Sequence, residues 1–175
     1  MHEGMSVIIA SSDKDFFQLV SPEIGLLNPA DKSEKVWTAA DVVNKTGVEP
    51  RQIVDWLSLM GDAVDNIPGV PGVGPKTAAE LMGRFGSVDE LYARIDEVKS
   101  PRLRGALADA RSAVINNQKM IRLLTTGPES PRLEALQSGT EDRLRLLALF
   151  RQWGFKGLAG ELEARVANQQ QLFAA

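Results

Sequence analysis

Residues 67–79 read Ile67-Pro68-Gly69-Val70-Pro71-Gly72-Val73-Gly74-Pro75-Lys76-Thr77-Ala78-Ala79, and the architecture on either side follows from them. Gly72 and Gly74 permit a tight turn with positive φ, and Pro75 stands where a first helical residue belongs. A helical pattern precedes the turn over residues 50–60 and another follows over 75–85, with the small Ala78 and Ala79 on its packing face. A glycine-rich turn alone says little. A helix, a Pro-Gly-Val-Gly hairpin and a second helix say more, because the turn then presents free main-chain amides at a helix N-terminus. Such amides, with Lys76 adding charge in the first turn, bind phosphate without reading bases.

Immediately upstream, Gly61-Asp62-Ala63-Val64-Asp65-Asn66 places two acids three residues apart at the end of the 50–60 helix. Positions i and i+3 share a helix face, and like charges near a helix C-terminus destabilise it unless a cation offsets them. An Asx-type turn leading into Pro68, with the acids solvated, accounts for the same residues. Further back, Ser6-Val7-Ile8-Ile9-Ala10 is a short β-branched run that reads as a buried strand of a parallel sheet. Ser11-Ser12-Asp13-Lys14-Asp15 follows it. If this segment stays extended, Asp13 and Asp15 point to one side at a strand's C-terminal end, where oxygen-ligated cations sit. Equally, Asp13 caps a short helix over residues 13–20 and Asp15 favours its N-terminus. A second strand is expected at residues 24–27.

From Thr38 onward the pattern is helical, over residues 39–45, 50–60, 75–85, 88–95, 101–124, 141–153 and 158–166, with breakers at Gly47, Gly61 to Gly74, Gly86, Gly127-Pro128 and Gly154 to Gly157. The expected fold class is therefore an α/β remnant, predominantly α-helical. In it, short parallel-sheet strands (residues 1–37) lead into a helical lobe (38–167) that holds the helix-hairpin-helix at 50–84. The Gln-rich tail 168–175 reads as disordered. Two strands are too few for an independent sheet, so further strands are expected elsewhere. Trp37, Trp56, Trp153 and Phe155 fall at apolar-periodic positions and read as core rather than as base-stacking platforms.

Composition narrows the chemistry. The 175 residues include no cysteine and one histidine, His2, which argues against thiolate metal sites and histidine-based acyl transfer. The net charge of −3 hides a gradient: residues 1–65 carry 11 acids and 5 bases, residues 66–175 carry 12 acids and 15 bases. An acidic focus beside a basic remainder suits a metal-dependent enzyme with an anionic substrate. Arg102, Arg104, Arg111, Lys119 and Arg122 form either a second phosphate-facing surface or a solvated helix face. Without a basic-then-apolar leader, the chain is expected in the cytoplasm, with no membrane partner.

The Ser12-Asp13-Lys14-Asp15-Phe16-Phe17-Gln18-Leu19 stretch, the acidic segment from Gly61 to Pro68, the Gly72-Val73-Gly74 hairpin and the segment from Phe150 to Leu158 occur here in one order. In that combination the chain resembles the C-terminal part of the 5′-3′ exonuclease domains of bacterial DNA polymerases I, within the flap endonuclease family. The resemblance implies two-metal hydrolysis of a phosphodiester near a 5′ flap in replication and repair, at the bacterial nucleoid. By it, Asp13, Asp15, Asp62 and Asp65 are catalytic metal ligands for Mg²⁺ or Mn²⁺, mainly for the second ion. Gly72, Val73, Gly74, Lys76 and Thr77 would hold duplex or flap DNA, with K⁺ bound by hairpin carbonyls. The family's N-terminal half, with further acids and a helical arch, has no counterpart in these residues. The expected partners thus include a missing N-terminal nuclease half or a polymerase domain. The alternatives are a catalytically silent duplex-binding module or half of a split nuclease, and the chain by itself is expected to cut flaps poorly.

Overall fold

The computed structural model describes residues 5–127, 136–137 and 139–172. Its compact units are Met1–Thr125 and Thr126–Ala175, so the strands and the first six helices belong together.

In the first unit, β1 (Val7–Ala10) pairs in parallel with β2 (Ile24–Leu27), and β2 pairs antiparallel with β3 (Val36–Trp37), in the order β1-β2-β3. Gly25 lies close under β3: a Cβ there would come 2.4 Å from Val36 Cγ1 unless that side chain moved. β3 is absent from the expected pattern. Its two residues are too few to show alternation, and only pairing with Leu26 and Leu27 defines them. The expectation of a buried first strand is corrected: Val7 is 45% and Ile8 58% exposed. β1 is the outer strand: its Ile9 packs partly against the core, but no described element covers Val7 and Ile8 as the core covers Leu26 of β2.

Between β1 and β2, Lys14–Leu19 forms a 3₁₀ turn with Asp13 as its N-cap. Then come α1 (Ala39–Thr46), α2 (Ile53–Met60), α3 (Pro75–Phe85), α4 (Val88–Ala93), α5 (Pro101–Asp109) and α6 (Arg111–Ile121). α1 starts where Asp41 Oδ2 accepts from the Thr38 N–H and hydroxyl, and stops at Gly47 in the left-handed conformation. α2 is the core's axis: Ile53, Val54, Trp56, Leu57, Ser58 and Leu59 are all buried, and α3 and α6 pack against it. A helix apolar nearly all round must be enclosed. Met82, Leu91, Leu107, Val114 and Ile121 complete the enclosure.

The single helix expected over 101–124 is two, broken at Ala110 (φ −86°, ψ 0°). The Tyr92 hydroxyl donates to the Leu107 carbonyl at 3.0 Å, the acceptor that the Arg111 N–H would need in a continuous helix.

In the second unit, α7 (Arg143–Gln152) is followed by α8 (Lys156–Leu172). The helix expected to stop at 166 continues to Leu172, as glutamine's helix propensity allows; residues 173–175 of the expected disordered tail lie outside the described residues. Trp153 and Phe155 are not core. They are 68% and 47% exposed, standing in the α7–α8 connection with their rings 6.3 Å apart. No helix among the described residues is long and apolar enough to cross a membrane.

Candidate metal centre and hairpin

The acids of the 61–68 stretch lie in a closed turn rather than on a helix face. α2 ends at Gly61, whose φ of +78° turns the chain outward. Residues 62 and 67 then exchange main-chain bonds, Asp62 N–H to the Ile67 carbonyl at 2.9 Å and Ile67 N–H to the Asp62 carbonyl at 2.8 Å. Gly69 returns against the end of α2 so closely that a Cβ on it would lie 2.1 Å from the Met60 carbonyl oxygen. This close approach, not helical i,i+3 spacing, brings Asp62 and Asp65 together, which corrects the helix-face reading; the Asx turn of the other reading is present, with the Val64 N–H donating to Asp62 Oδ1 at 3.1 Å, although Asp62 is buried rather than solvated.

Of the two readings of Asp13 and Asp15, the structure has the capping one. Asp13 is still extended (φ −76°, ψ 126°), but the chain turns from Lys14 onward, and Asp13 Oδ1 accepts from the Asp15 N–H at 2.9 Å and caps the 3₁₀ turn. Asp15, Asp62 and Asp65 nevertheless converge, each offering a carboxylate oxygen within 4.8 Å of the others. Asp13 is outside that triad, though it lines the adjoining pocket of about 320 Å³ with Ser12, Lys14, Asp62, Val64 and Asp65. The Lys14 ammonium meets Asp62 Oδ2 at 2.7 Å.

The electrostatics follow from this crowding. Burial pushes the Asp15 carboxyl up to about 6, helped by the charges of Asp13, Asp65 and Asp62. Burial opposes ionisation of Asp62 too, but the hydrogen bonds from Lys14 and the Val64 N–H outweigh it, and the carboxyl sits below its ordinary value. Asp65 is raised, by desolvation and by the hydrogen bond and charge of Asp62. Asp15 Oδ1 is buried without a hydrogen-bond partner. Three converging carboxylates, one with an orphaned buried oxygen, fit a hard divalent cation bound through oxygen.

Beyond Pro68, the hairpin takes positive φ at only one of the two glycines expected to have it, since Gly74 is extended at φ −104°. Gly72 takes φ +83°, Gly74 is the N-cap of α3 and Pro75 its first residue. A Cβ built on Gly72 or Gly74 meets nothing within 4 Å, so the main chain there is open to close approach from outside. Lys76 is exposed and Thr77 half-buried. Val73 turns its side chain into the core, as Val70 does, which leaves only its main chain to face a ligand. The Trp56 indole N–H donates to the Pro75 carbonyl at 2.9 Å and ties the start of α3 to α2. Sequence reasoning passed over Asn117, buried on α6, whose amide donates to the Ser58 carbonyl at 3.0 Å and the Pro68 carbonyl at 2.7 Å. Nothing local marks it, because its partners are main-chain groups 59 and 49 residues away.

The profile of the 5′-3′ exonuclease, C-terminal SAM fold family matches residues 48–143. A 5′-3′ exonuclease of Aquifex aeolicus is 34% identical over 173 residues, covering 98% of this chain and 58% of that protein. DNA polymerase I of Bacillus caldotenax is 35% identical over 170 residues, covering 96% of this chain and 19% of the polymerase. The chain thus spans under two thirds of the length of either relative. Among solved structures, T5 5′-exonuclease with divalent metal ions (zinc) bound superposes with a TM-score of 0.58 at 22% identity, over 66% of this chain and 42% of that one. The catalytic core of Rad2 in complex with DNA substrate gives 0.52 at 18%, over 84% and 51%. These two likenesses show a shared fold.

Proposed function

We infer the function from a plain membership: the chain belongs to the 5′-3′ exonuclease family, whose C-terminal SAM-fold profile covers residues 48–143. It serves as the C-terminal portion of a structure-specific 5′ nuclease that hydrolyses DNA phosphodiesters at 5′ ends and flaps. The observation that carries this reading is the convergence of Asp15, Asp62 and Asp65 within 4.8 Å beside an open glycine hairpin. Asp15, Asp62 and Asp65 would hold Mg²⁺ or Mn²⁺, with Asp13 alongside. When bound, such ions lower the pKa of attacking water and stabilise charge on the attacking and leaving oxygens.

The chain's own residues do the rest. Lys14 neutralises Asp62 until a cation competes for it. The main-chain N–H groups after Gly74, with Lys76, hold a duplex backbone phosphate and set the distance from duplex to carboxylates. Hairpin carbonyls offer oxygen ligands to K⁺. Three or four carboxylates suffice for one divalent ion but not readily for two, so the full pair draws on a nuclease segment outside this chain, as does grip on the scissile phosphate. Cleavage by the chain alone is accordingly poor.

Calorimetric titration with Mn²⁺ and fluorescence anisotropy on two unrelated duplexes test this directly. Mn²⁺ binding is expected in the wild-type chain and lost in Asp62→Asn. Gly74→Val, folded as judged by circular dichroism, is expected to bind both duplexes about tenfold more weakly. No Mn²⁺ binding at millimolar concentration, together with unchanged duplex affinity in Gly74→Val, would overturn the reading.

A further inference from the structure

We propose that Gln18 is a positioning residue for the carboxylate triad. Its amide fastens the 3₁₀ turn that carries Asp15 to the C-terminal end of α6, and α6 also holds the 62–67 turn. The inference rests on the cation-site reading above.

The 3₁₀ turn is weakly self-supporting. Its bonds from the Phe16 N–H to the Asp13 carbonyl and from the Val20 N–H to the Phe17 carbonyl are 3.4 and 3.3 Å long, in keeping with the poorer geometry of such turns. None of its six residues is fully buried. Phe16 and Phe17 pack partly against the core, and Phe17 stacks on Trp37 with rings 5.4 Å apart. Dispersion contacts of this kind are non-directional and tolerate sliding. Hydrogen bonds are directional, and Gln18 uses its whole amide. Nε2 donates to the carbonyl of Asp15 at 2.9 Å and to that of Ile121 at 3.1 Å, while Oε1 accepts from the Leu123 N–H at 3.0 Å. One side chain therefore grips the main chain of the ligand-bearing residue and two main-chain groups at the end of α6.

The other ligand-bearing segment is tied to the same helix. Asn117, one turn before Ile121, donates to the carbonyls of Ser58, near the end of α2, and Pro68, just past the acidic turn. Residues four apart share a helix face, so α6 sets the spacing between Asp15 on one side and Asp62 with Asp65 on the other. The direct tie between the segments is the Lys14–Asp62 pair. A cation entering the triad competes for Asp62 and weakens that tie. The Gln18 and Asn117 bonds involve no carboxylate of the triad and persist.

Mn²⁺ titration of the folded chain, by calorimetry and by electron paramagnetic resonance of free Mn²⁺, tests this without any activity assay. Gln18→Leu, which removes all three bonds, is expected to weaken Mn²⁺ binding roughly three- to tenfold, somewhat less than loss of a group bonded directly to a ligand atom. Gln18→Glu keeps the acceptor for Leu123 and adds a negative charge, which by Coulomb attraction alone would tighten cation binding. Positioning predicts weaker binding there too, and this variant carries the test should Gln18→Leu fail to fold. Gln118→Leu, which cuts the 2.6 Å bond from α6 to Asp55, is expected to lower the melting temperature yet leave Mn²⁺ affinity unchanged. Equal Mn²⁺ affinity in wild type and Gln18→Leu, or equal or tighter binding by Gln18→Glu, would remove the positioning role alone. A wild-type chain that binds no Mn²⁺ would remove the cation-site reading and the positioning role with it.

Discussion

Lys14→Met isolates the charge that neutralises the acidic cluster while keeping most of the unbranched side chain. Two unit charges at the 2.7 Å of the Lys14–Asp62 pair attract by about 1.5 kcal/mol under bulk-water screening and by about 6 kcal/mol at an effective dielectric of about 20. The Lys14 side chain is 36% exposed and that of Asp62 3%, so screening acts on one partner only and the value falls toward the lower bound. We expect a loss of about 2 kcal/mol, well short of the 3–5 kcal/mol of a fully buried pair broken on one side. For a chain of this size that is a drop in melting temperature of about 4–8 °C in metal-free buffer at pH 7. Because Lys14 holds the Asp62 carboxyl below its ordinary value, the contribution is present above about pH 4 and fades as pH falls through the lower folded value. The two proteins should therefore converge only once the pH has fallen below that lowered value. Mn²⁺ should raise the melting temperature more in the variant, since the cation no longer competes with an ammonium. Melting followed by circular dichroism, with and without Mn²⁺, decides it. Equal melting at pH 7, or an identical Mn²⁺ increment in both proteins, would refute the assignment of Lys14 as the cluster's counter-charge.

Asp15→Asn should stabilise the metal-free chain above about pH 6. The fold raises this carboxyl to about 6, so ionising it between about pH 4 and 6 lowers stability, by about 1 kcal/mol after allowance for its partial exposure, and Asn does not titrate. Melting temperatures from pH 4.5 to 8 with parallel slopes for both proteins would count against this. Gly69→Ala forces a Cβ to 2.1 Å from the Met60 carbonyl oxygen and should cost about 3 kcal/mol, or about 6–12 °C. Gly83→Ala, on α3 with nothing within 4 Å of its Cβ, should instead raise stability by up to about 1 kcal/mol, and thermal melts of the pair check the contrast.

The hairpin was legible because its chemistry is local. Positive φ at Gly72 and a proline opening α3 are properties of those residues and their immediate neighbours, and the structure has both. The four aspartates were also legible as a set, the geometry attributed to them only in part. Asp13 caps, as one of the two sequence readings had it, but Asp62 and Asp65 stand together because two glycines allow the chain to fold back on α2. That fold-back has no periodicity from which to read it. The exposed Trp153 and Phe155 show the converse, since periodicity marks an apolar stripe without saying what covers it.

What the sequence by itself determined is whatever depends on neighbours along the chain. That covers the α-rich body, the parallel strand pair, the glycine hairpin with its helix cap, and the carboxylates available to a cation. Tertiary structure decided the pairings across long separations. β3 exists only against β2, α5 and α6 part where Tyr92 takes the Leu107 carbonyl, and Gln18 and Asn117 find main-chain partners on segments 49 to 105 residues away. The physical reason is that a buried amide must satisfy its donors with whatever backbone the packing brings near, and only the packed core settles which backbone that is.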